Sequence, residues 1–286
     1  MLINLIKKSF KIVVDSPVIT LFLVMYLILM NLLLFNISNS LRGGLAIVAF
    51  ILFSCVYLLS ACFFAGWYNI IVASFKDEDF QNKKSLPIFL EGVGKNFLPI
   101  SIGMFVNFVI LISFIIVASF VAYHFAGGLD FLPDEITASA VEKIAGSLTE
   151  EQQYQIAIWE ILFALCALSF SYLFMFYYPA VVEDEGKMLI KPFKAVWTSI
   201  KFVFRNFWSV LALNTLIFVS YFALGVLRNV FSKNSILELV ILFISIYFIS
   251  IVLVLIFYYY EQKNSCNNGA DCLGEDKAID STCEKD

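Results

Sequence analysis

The sequence predicts an all-α polytopic membrane protein, with six transmembrane helices arranged as three hairpins and amphipathic helices lying in the membrane interface. Three observations predict it. Of 286 residues, 61% are hydrophobic and 15% charged, with mean hydropathy +0.88, whereas a soluble domain carries about 25% charged residues. The apolar residues gather into six runs, at about 18–36, 45–69, 97–121, 156–180, 207–228 and 238–260, each near the roughly 20 residues that cross a bilayer. Finally, two connectors share one spacing: Asn96 follows Tyr68 by 28 residues, and Asn206 follows Tyr178 by 28.

The elements follow in order. Ahead of the first run, Asn4, Lys8, Lys11 and Asp15 fall on one helical face. The first run has a basic segment before it and Ser38-x-Ser40 near its end. Its apolar stretch exceeds the roughly 7–15 residues of a cleaved signal, so it is expected to remain as an anchor. The second run closes on Trp67-Tyr68. Residues 84–95 are expected to form a poorer interfacial helix, because Pro87, Gly92 and Gly94 weaken it. In the third run Ala118, Ala122 and Ala126 make a stripe of small residues suited to close helix packing.

The stretch 126–153 then interrupts the pattern. It opens with Gly127-Gly128 and holds Asp130, Asp134, Glu135, Glu142, Glu150 and Glu151 against Lys143 alone. DEITASAVEKIAG, after Pro133, has the composition of a short helix ending at Gly146, and Ser147-x-x-Glu150 resembles a capping box for the fourth run. That run closes on Tyr177-Tyr178. Between it and the fifth, Lys187, Lys191, Lys194, Thr198, Lys201 and Arg205 step by four and three along one helical face. Leu189, Ile190, Phe193, Val196, Trp197, Ile200, Val203 and Phe204 fill the rest. A basic amphipathic helix of this kind lies in the membrane interface. Its cations, Lys187, Lys191, Lys194, Lys201 and Arg205, are the candidate contacts to lipid headgroups.

A third aromatic closure, Tyr258-Tyr259-Tyr260, ends the sixth run. The chain up to residue 260 therefore divides into three units, Ser16–Tyr68, Asn96–Tyr178 and Asn206–Tyr259. The middle one is longer by about the length of the insertion. Residues 261–286 form an acidic tail that carries the entire net charge of −4 and is expected to be disordered. Orientation follows from the cations, which cytoplasmic loops retain. With the N-terminus inside, 15 of the 19 Lys and Arg residues face the cytoplasm, leaving Arg42, Lys143, Arg228 and Lys233 outside. The expectation is a multi-pass protein of the plasma (inner) membrane with both termini cytoplasmic.

Candidate chemistry is sparse. Ionisable groups inside a span point to transport or proton relay, but Glu160 and Glu238 fall at the outer ends of theirs. Asn31, Asn107 and Asn214 lie deeper, in the first, third and fifth runs, as a candidate intramembrane polar track or as ordinary interhelical hydrogen-bonding groups. His124 is the single histidine, which cannot build a two-histidine metal site. Cys55, Cys62 and Cys166 read as packing residues, while Cys266, Cys272 and Cys283 lack zinc-site spacing. The run Glu91 to Asn96 lacks the Ser or Thr and the spacing of a phosphate loop. No catalytic residue, cofactor or metal is expected, and no nucleic-acid partner, since topology accounts for the cations.

The run YYPAVVEDEGKMLIKPFKAVWTSIKFVFRNFWSVLAL, residues 177–213, resembles a group of six-span prokaryotic membrane proteins. That group includes the membrane domain attached to some glycerophosphodiester phosphodiesterases and the YciC-like proteins. The shared pattern is aromatic-Pro-Ala, an acidic-Gly turn, a basic amphipathic helix bearing Ala195 and Ser199, and a cation-Asn-Phe start to the next span. The resemblance implies an integral-membrane role and no established reaction. The sequence thus leads to a non-enzymatic scaffold or accessory component that contacts membrane lipids and a membrane-protein partner. The alternative is a transporter or permease subunit for a small solute or lipid.

Overall fold

The computed structural model describes residues 2–76, 80, 85–129, 148–184, 186–231 and 235–267. These form helices and their connections, with no strand among the described residues. The helices are α1 (Leu2–Asp15), α2 (Val18–Arg42), α3 (Ala46–Lys76), α4 (Ser85–Ala126), α5 (Glu150–Phe174), α6 (Tyr177–Glu183), α7 (Lys191–Arg205), α8 (Phe207–Phe231) and α9 (Ser235–Asn267). Six segments are long and apolar enough to span a membrane: α2, α3, α4, α5 continued by α6, α8 and α9. Phe50, Phe120 and Trp208, each more than 70% exposed, stand on the outer surface. Water does not tolerate such a surface in quantity, whereas lipid does.

The hairpins are α2–α3, α4–α5 and α8–α9. In the first, Gly43-Gly44 makes the turn, Gly44 with a positive φ of 72°. Tyr26 stacks on Phe63 with ring centroids 4.1 Å apart, and its hydroxyl meets Ser60 Oγ at 2.9 Å. Buried Trp67 donates its indole N–H to the Ile19 carbonyl at 2.9 Å, tying the end of α3 to the start of α2. Pro17, lacking an N–H, separates α1 from α2. The small helix α1 lies on α9, burying Leu5, Ser9 and Val13 and setting Lys8 over the Tyr258 ring.

The unit-two connector departs from expectation. Residues 85–126 form one unbroken helix, with Pro87 in its first turn and Pro99 inside it. Gly92 survives there because α3 crosses against it, whereas Gly94 faces open space. A Cβ at Gly92 would collide with Asn69 and the Ala65 carbonyl, and one at Gly66 with the Phe89 ring. Tight packing between α3 and α4 outweighs the weak local propensity, as tertiary contacts commonly do. In unit three the same position breaks: α7 ends at Arg205, and Asn206 (φ −115°) turns its amide back to the Phe202 carbonyl before α8 begins.

Helix α5 starts later than the sequence motif suggested. Thr149 is its N-cap, accepting from the Gln152 N–H while the Gln152 side chain accepts from Thr149 N–H. That capping box replaces the one expected at Ser147 and Glu150, because the first helical residue is Glu150 itself. Gly127 (φ 77°) ends α4, and its carbonyl accepts from the Trp159 indole at 3.2 Å. Ala118 and Ala122 of the small-residue stripe are buried, while Ala126 is half-buried. The proposed insertion helix, with most of the acidic stretch, lies outside the described residues. So does the tail beyond Asn267. Residues 261–267, read as the start of that tail, instead extend α9 by two turns.

The core sits at one end of the bundle, where the three aromatic closures meet. Tyr68 lies 5.4 Å from Tyr178 and 5.0 Å from Phe257, ring centroid to centroid. Phe176 packs on Tyr259, Tyr260 and Phe202. Tyr177, fully buried, donates to the Gly103 carbonyl at 3.3 Å. The repeat in sequence is therefore a junction in space, joining all three units. The other end is more open; there Arg228 and Glu238 approach to 3.7 Å across α8–α9.

Candidate functional site: a polar recess above the aromatic junction

Just beyond the junction, the helix ends line a half-open recess of about 390 Å³. Its walls come from α3 (Asn69, Val72, Lys76), α4 (Lys95, Asn96), α6 and the residue after it (Val182, Glu183, Asp184) and α9 (Glu261, Asn264). Each unit contributes, since each closure is followed by polar residues. Glu183 and Asn264 stand five positions after Tyr178 and Tyr259, so they are equivalents in the repeat. They meet: Asn264 donates its amide to Glu183 at 3.3 Å.

The charges are interlocked. Lys76 Nζ lies 2.7 Å from Glu261, whose side chain is 16% exposed. The Glu183 and Glu261 carboxyls face each other within hydrogen-bonding reach. Two carboxylates so close cannot both be ionised at ease, and one must act as donor. Lys76 is the only cation among the described residues paired directly to this couple. Asp184 is neutralised separately. It takes Lys194 at 2.9 Å and the Gly186 N–H at 2.8 Å. Burial alone would push its carboxyl up, but these two hydrogen bonds with the charges of Lys194 and Lys191 outweigh that and hold it below the usual range.

Asn96 is the unusual wall residue. It is fully buried, and neither its amide nitrogen nor its amide oxygen has a partner. Its counterpart Asn206 satisfies its own nitrogen by closing α7, whereas Asn96 is held inside an unbroken helix and aimed at the cavity. Pro99 adds to the polarity, because without an N–H it leaves the Lys95 carbonyl unbonded along the helix. Asn69 is anchored by donating to the Ile88 carbonyl at 2.9 Å. Leaving a buried amide unsatisfied costs about 1–3 kcal/mol, and replacing buried ion pairs by apolar side chains is often neutral or stabilising. Stability alone does not account for such a recess.

The residues singled out from sequence are placed as follows. On α7, Lys194, Lys201 and Arg205 are exposed, and Lys187 precedes the helix, also exposed. Lys191 differs: it is 5% exposed, on the side facing the protein with Pro192, Ala195, Ser199 and Phe202. Ser199 caps the end of α5 by donating to the Leu173 carbonyl at 2.8 Å. Phe193, Trp197 and Phe204 form the outer apolar face. The three asparagines are not joined to one another. Asn31 is exposed and bonds the Leu27 carbonyl of its own helix, Asn214 is half-buried on α8, and Asn107 donates to the Tyr178 hydroxyl at 3.5 Å. The Asn107 amide oxygen is buried without a partner. His124 and Glu160 are exposed.

Sequence reasoning passed over the recess itself. Lys76 counted only toward orientation, Lys95 toward orientation and a rejected phosphate loop, Glu261 toward the tail, and Glu183 toward a turn. The signal that could have found part of it was the repeat: Glu183 and Asn264 stand in matching register after the second and third closures, where the first has Ala73. Among the described residues, no group of three or more His, Cys, Asp or Glu is placed to hold a metal ion. A second, wholly apolar groove between Phe10 and the face Val240–Ile251 of α9 offers no polar group. The chain matches no family model, no curated protein and no solved structure.

Proposed function

We propose that this six-span protein is a non-enzymatic scaffold or accessory component of the plasma (inner) membrane, working by binding at the cytoplasmic headgroup level. The observation that carries the reading is the recess: an unpartnered, fully buried Asn96 beside an interlocked set of charges, built from all three units. The cation asymmetry supports placing this end, with both termini, in the cytoplasm. The exposed cations of α7 and its outer Phe193, Trp197 and Phe204 suit a helix lying among lipid headgroups. The resemblance of residues 177–213 to the YciC-like group agrees with a membrane role without a reaction.

The test is extraction of the full chain in native-lipid discs, alongside a Glu183→Gln/Asn96→Leu double variant. A lipid or protein retained in fixed stoichiometry by the wild type and lost from the variant is the expected result. Identical composition of the two would remove the recess as the working site.

One observation favours the permease alternative. Asn107 and Tyr178 continue polar groups from the recess toward the bilayer interior. Proton flux into liposomes, read by an entrapped pH-sensitive dye and abolished in a stably folded Asn107→Leu variant, would establish that reading instead.

A further inference from the structure

We propose that the recess binds a primary ammonium group carried on a small zwitterion, the chemistry of a phosphoethanolamine. This rests on the recess being the working site and names what occupies it.

The argument is one of charge and hydrogen-bond balance. Of the two facing carboxyls, Glu261 has Lys76 as a direct partner at 2.7 Å, while among the described residues Glu183 meets Glu261 and the Asn264 amide and forms no ion pair. The couple therefore lacks one positive charge and holds a proton in its place. An incoming ammonium supplies that charge: it accepts the place between Glu183 and Glu261, and the shared proton leaves to solvent. The groups facing Glu183 are Glu261, Tyr260 and Asn264 from α9 and Lys76 from α3. Across the cavity stands Lys95 from α4, and Asp184 follows on the chain with Lys194 and Lys191 beside it.

The second observation is Asn96. Its buried amide oxygen is an idle acceptor and its amide nitrogen an idle donor. A ligand that satisfies both must itself both donate and accept, which an ammonium-bearing zwitterion does and a bare cation does not. Lys95, adjacent to Asn96 in the cavity wall, places a positive charge for the anionic half. A divalent metal suits the site poorly, since Lys76 already sits against the carboxylate it would need. A quaternary ammonium suits it poorly too, because it has no N–H to give to Glu183 or Asn96. The volume of about 390 Å³ admits a phosphoethanolamine, whether free in solution or on a lipid whose headgroup lies at this level.

The experiment uses the full chain in mild detergent, titrated calorimetrically with phosphoethanolamine, phosphocholine and inorganic phosphate in buffers of different ionisation enthalpy. In parallel, thermal stability is read in nanodiscs of phosphatidylethanolamine or of phosphatidylcholine. The expected result is binding of phosphoethanolamine at least tenfold tighter than phosphocholine or phosphate, with about one proton released near neutral pH. Glu183→Gln should weaken it at least tenfold and abolish the proton release, and this variant keeps the contact to Glu261. Exposed Lys95→Ala serves as a second variant that leaves the fold alone and should weaken the anionic half. Stabilisation by phosphatidylethanolamine without soluble binding also supports the proposal and assigns the source to lipid. Equal binding of all three soluble probes, insensitivity to both variants, or no response in either format would overturn it. If these fail while the recess variant still loses a retained species, the working site stands and only the ligand class falls.

Discussion

Replacing Tyr68 by Ala tests whether the aromatic junction holds the three units together. The Tyr68 ring is 5% exposed. Its centroid lies 5.6 Å from Phe64 and 6.1 Å from Trp67 on its own helix, and 5.4 Å from Tyr178 and 5.0 Å from Phe257 on the other two units. Aromatic pairs contribute about 0.5–1.5 kcal/mol each, so losing the two cross-unit pairs costs about 1–3 kcal/mol. In a soluble core, truncating a large aromatic costs about 3–5 kcal/mol. Part of that figure is transfer to water, which shrinks where the alternative surroundings are lipid. The lower range is therefore the expectation. The assay is reversible unfolding in mixed micelles followed by tryptophan fluorescence, with Tyr123→Ala, at an exposed position, as the control expected to stay within about 0.5 kcal/mol. A double-mutant cycle with Phe257→Ala isolates the cross-unit pair and should return a coupling of about 0.5–1.5 kcal/mol. If Tyr68→Ala matches the control and the coupling is zero, the junction does not hold the units, and the argument from the repeat fails.

Three further outcomes are expected. Gly92→Ala should destabilise by about 1–3 kcal/mol because its Cβ meets the Ala65 carbonyl and Asn69. Gly94→Ala, with nothing within 4 Å, should be neutral or stabilising by up to about 1 kcal/mol; the same unfolding assay compares them. The Asp184 carboxyl is held below the usual range, so its ion pair with Lys194 stabilises the fold above the ordinary value of about 3.9 and that contribution is lost as pH falls through the folded value. Thermal stability should therefore drop at acid pH in the wild type and less steeply in Asp184→Asn. With the six cysteines replaced, Gly128→Cys should react with a membrane-impermeant thiol reagent in intact cells and Lys187→Cys only after permeabilisation; the reverse pattern would invert the topology.

Much of the architecture was legible in the sequence because bilayer-spanning helices need long apolar runs and satisfy their own backbones. The aromatic closures were legible as a spacing, and the fold turned that spacing into contact. The recess was not legible. Its walls lie up to 195 positions apart, from Asn69 to Asn264, and each polar residue sits at a span end, where polarity needs no special cause. Asn96 looked like the start of a span, as Asn206 is. What separates them is α3 packing against Gly92, which keeps α4 helical through residue 96 and buries the amide. That is a tertiary effect, invisible to local propensity. The α9 extension escaped notice for a related reason: Glu261 and Asn264 are polar by composition and helical by virtue of what they meet.

The unbroken α4 has a mechanical consequence. Its 42 residues measure about 63 Å at 1.5 Å per residue, roughly twice the thickness of a hydrocarbon core. Pro99, where one rung of its hydrogen-bond ladder is missing, divides it into unequal arms. Some 40 Å separate Pro99 from the end at Ala126, while Asn96 is about 4.5 Å away on the other side. A missing rung is where a helix bends, so Asn96 belongs to the shorter arm, the one packed against α3 through Gly92. The recess is thereby set on one side of the bend and the long arm to Ala126 on the other.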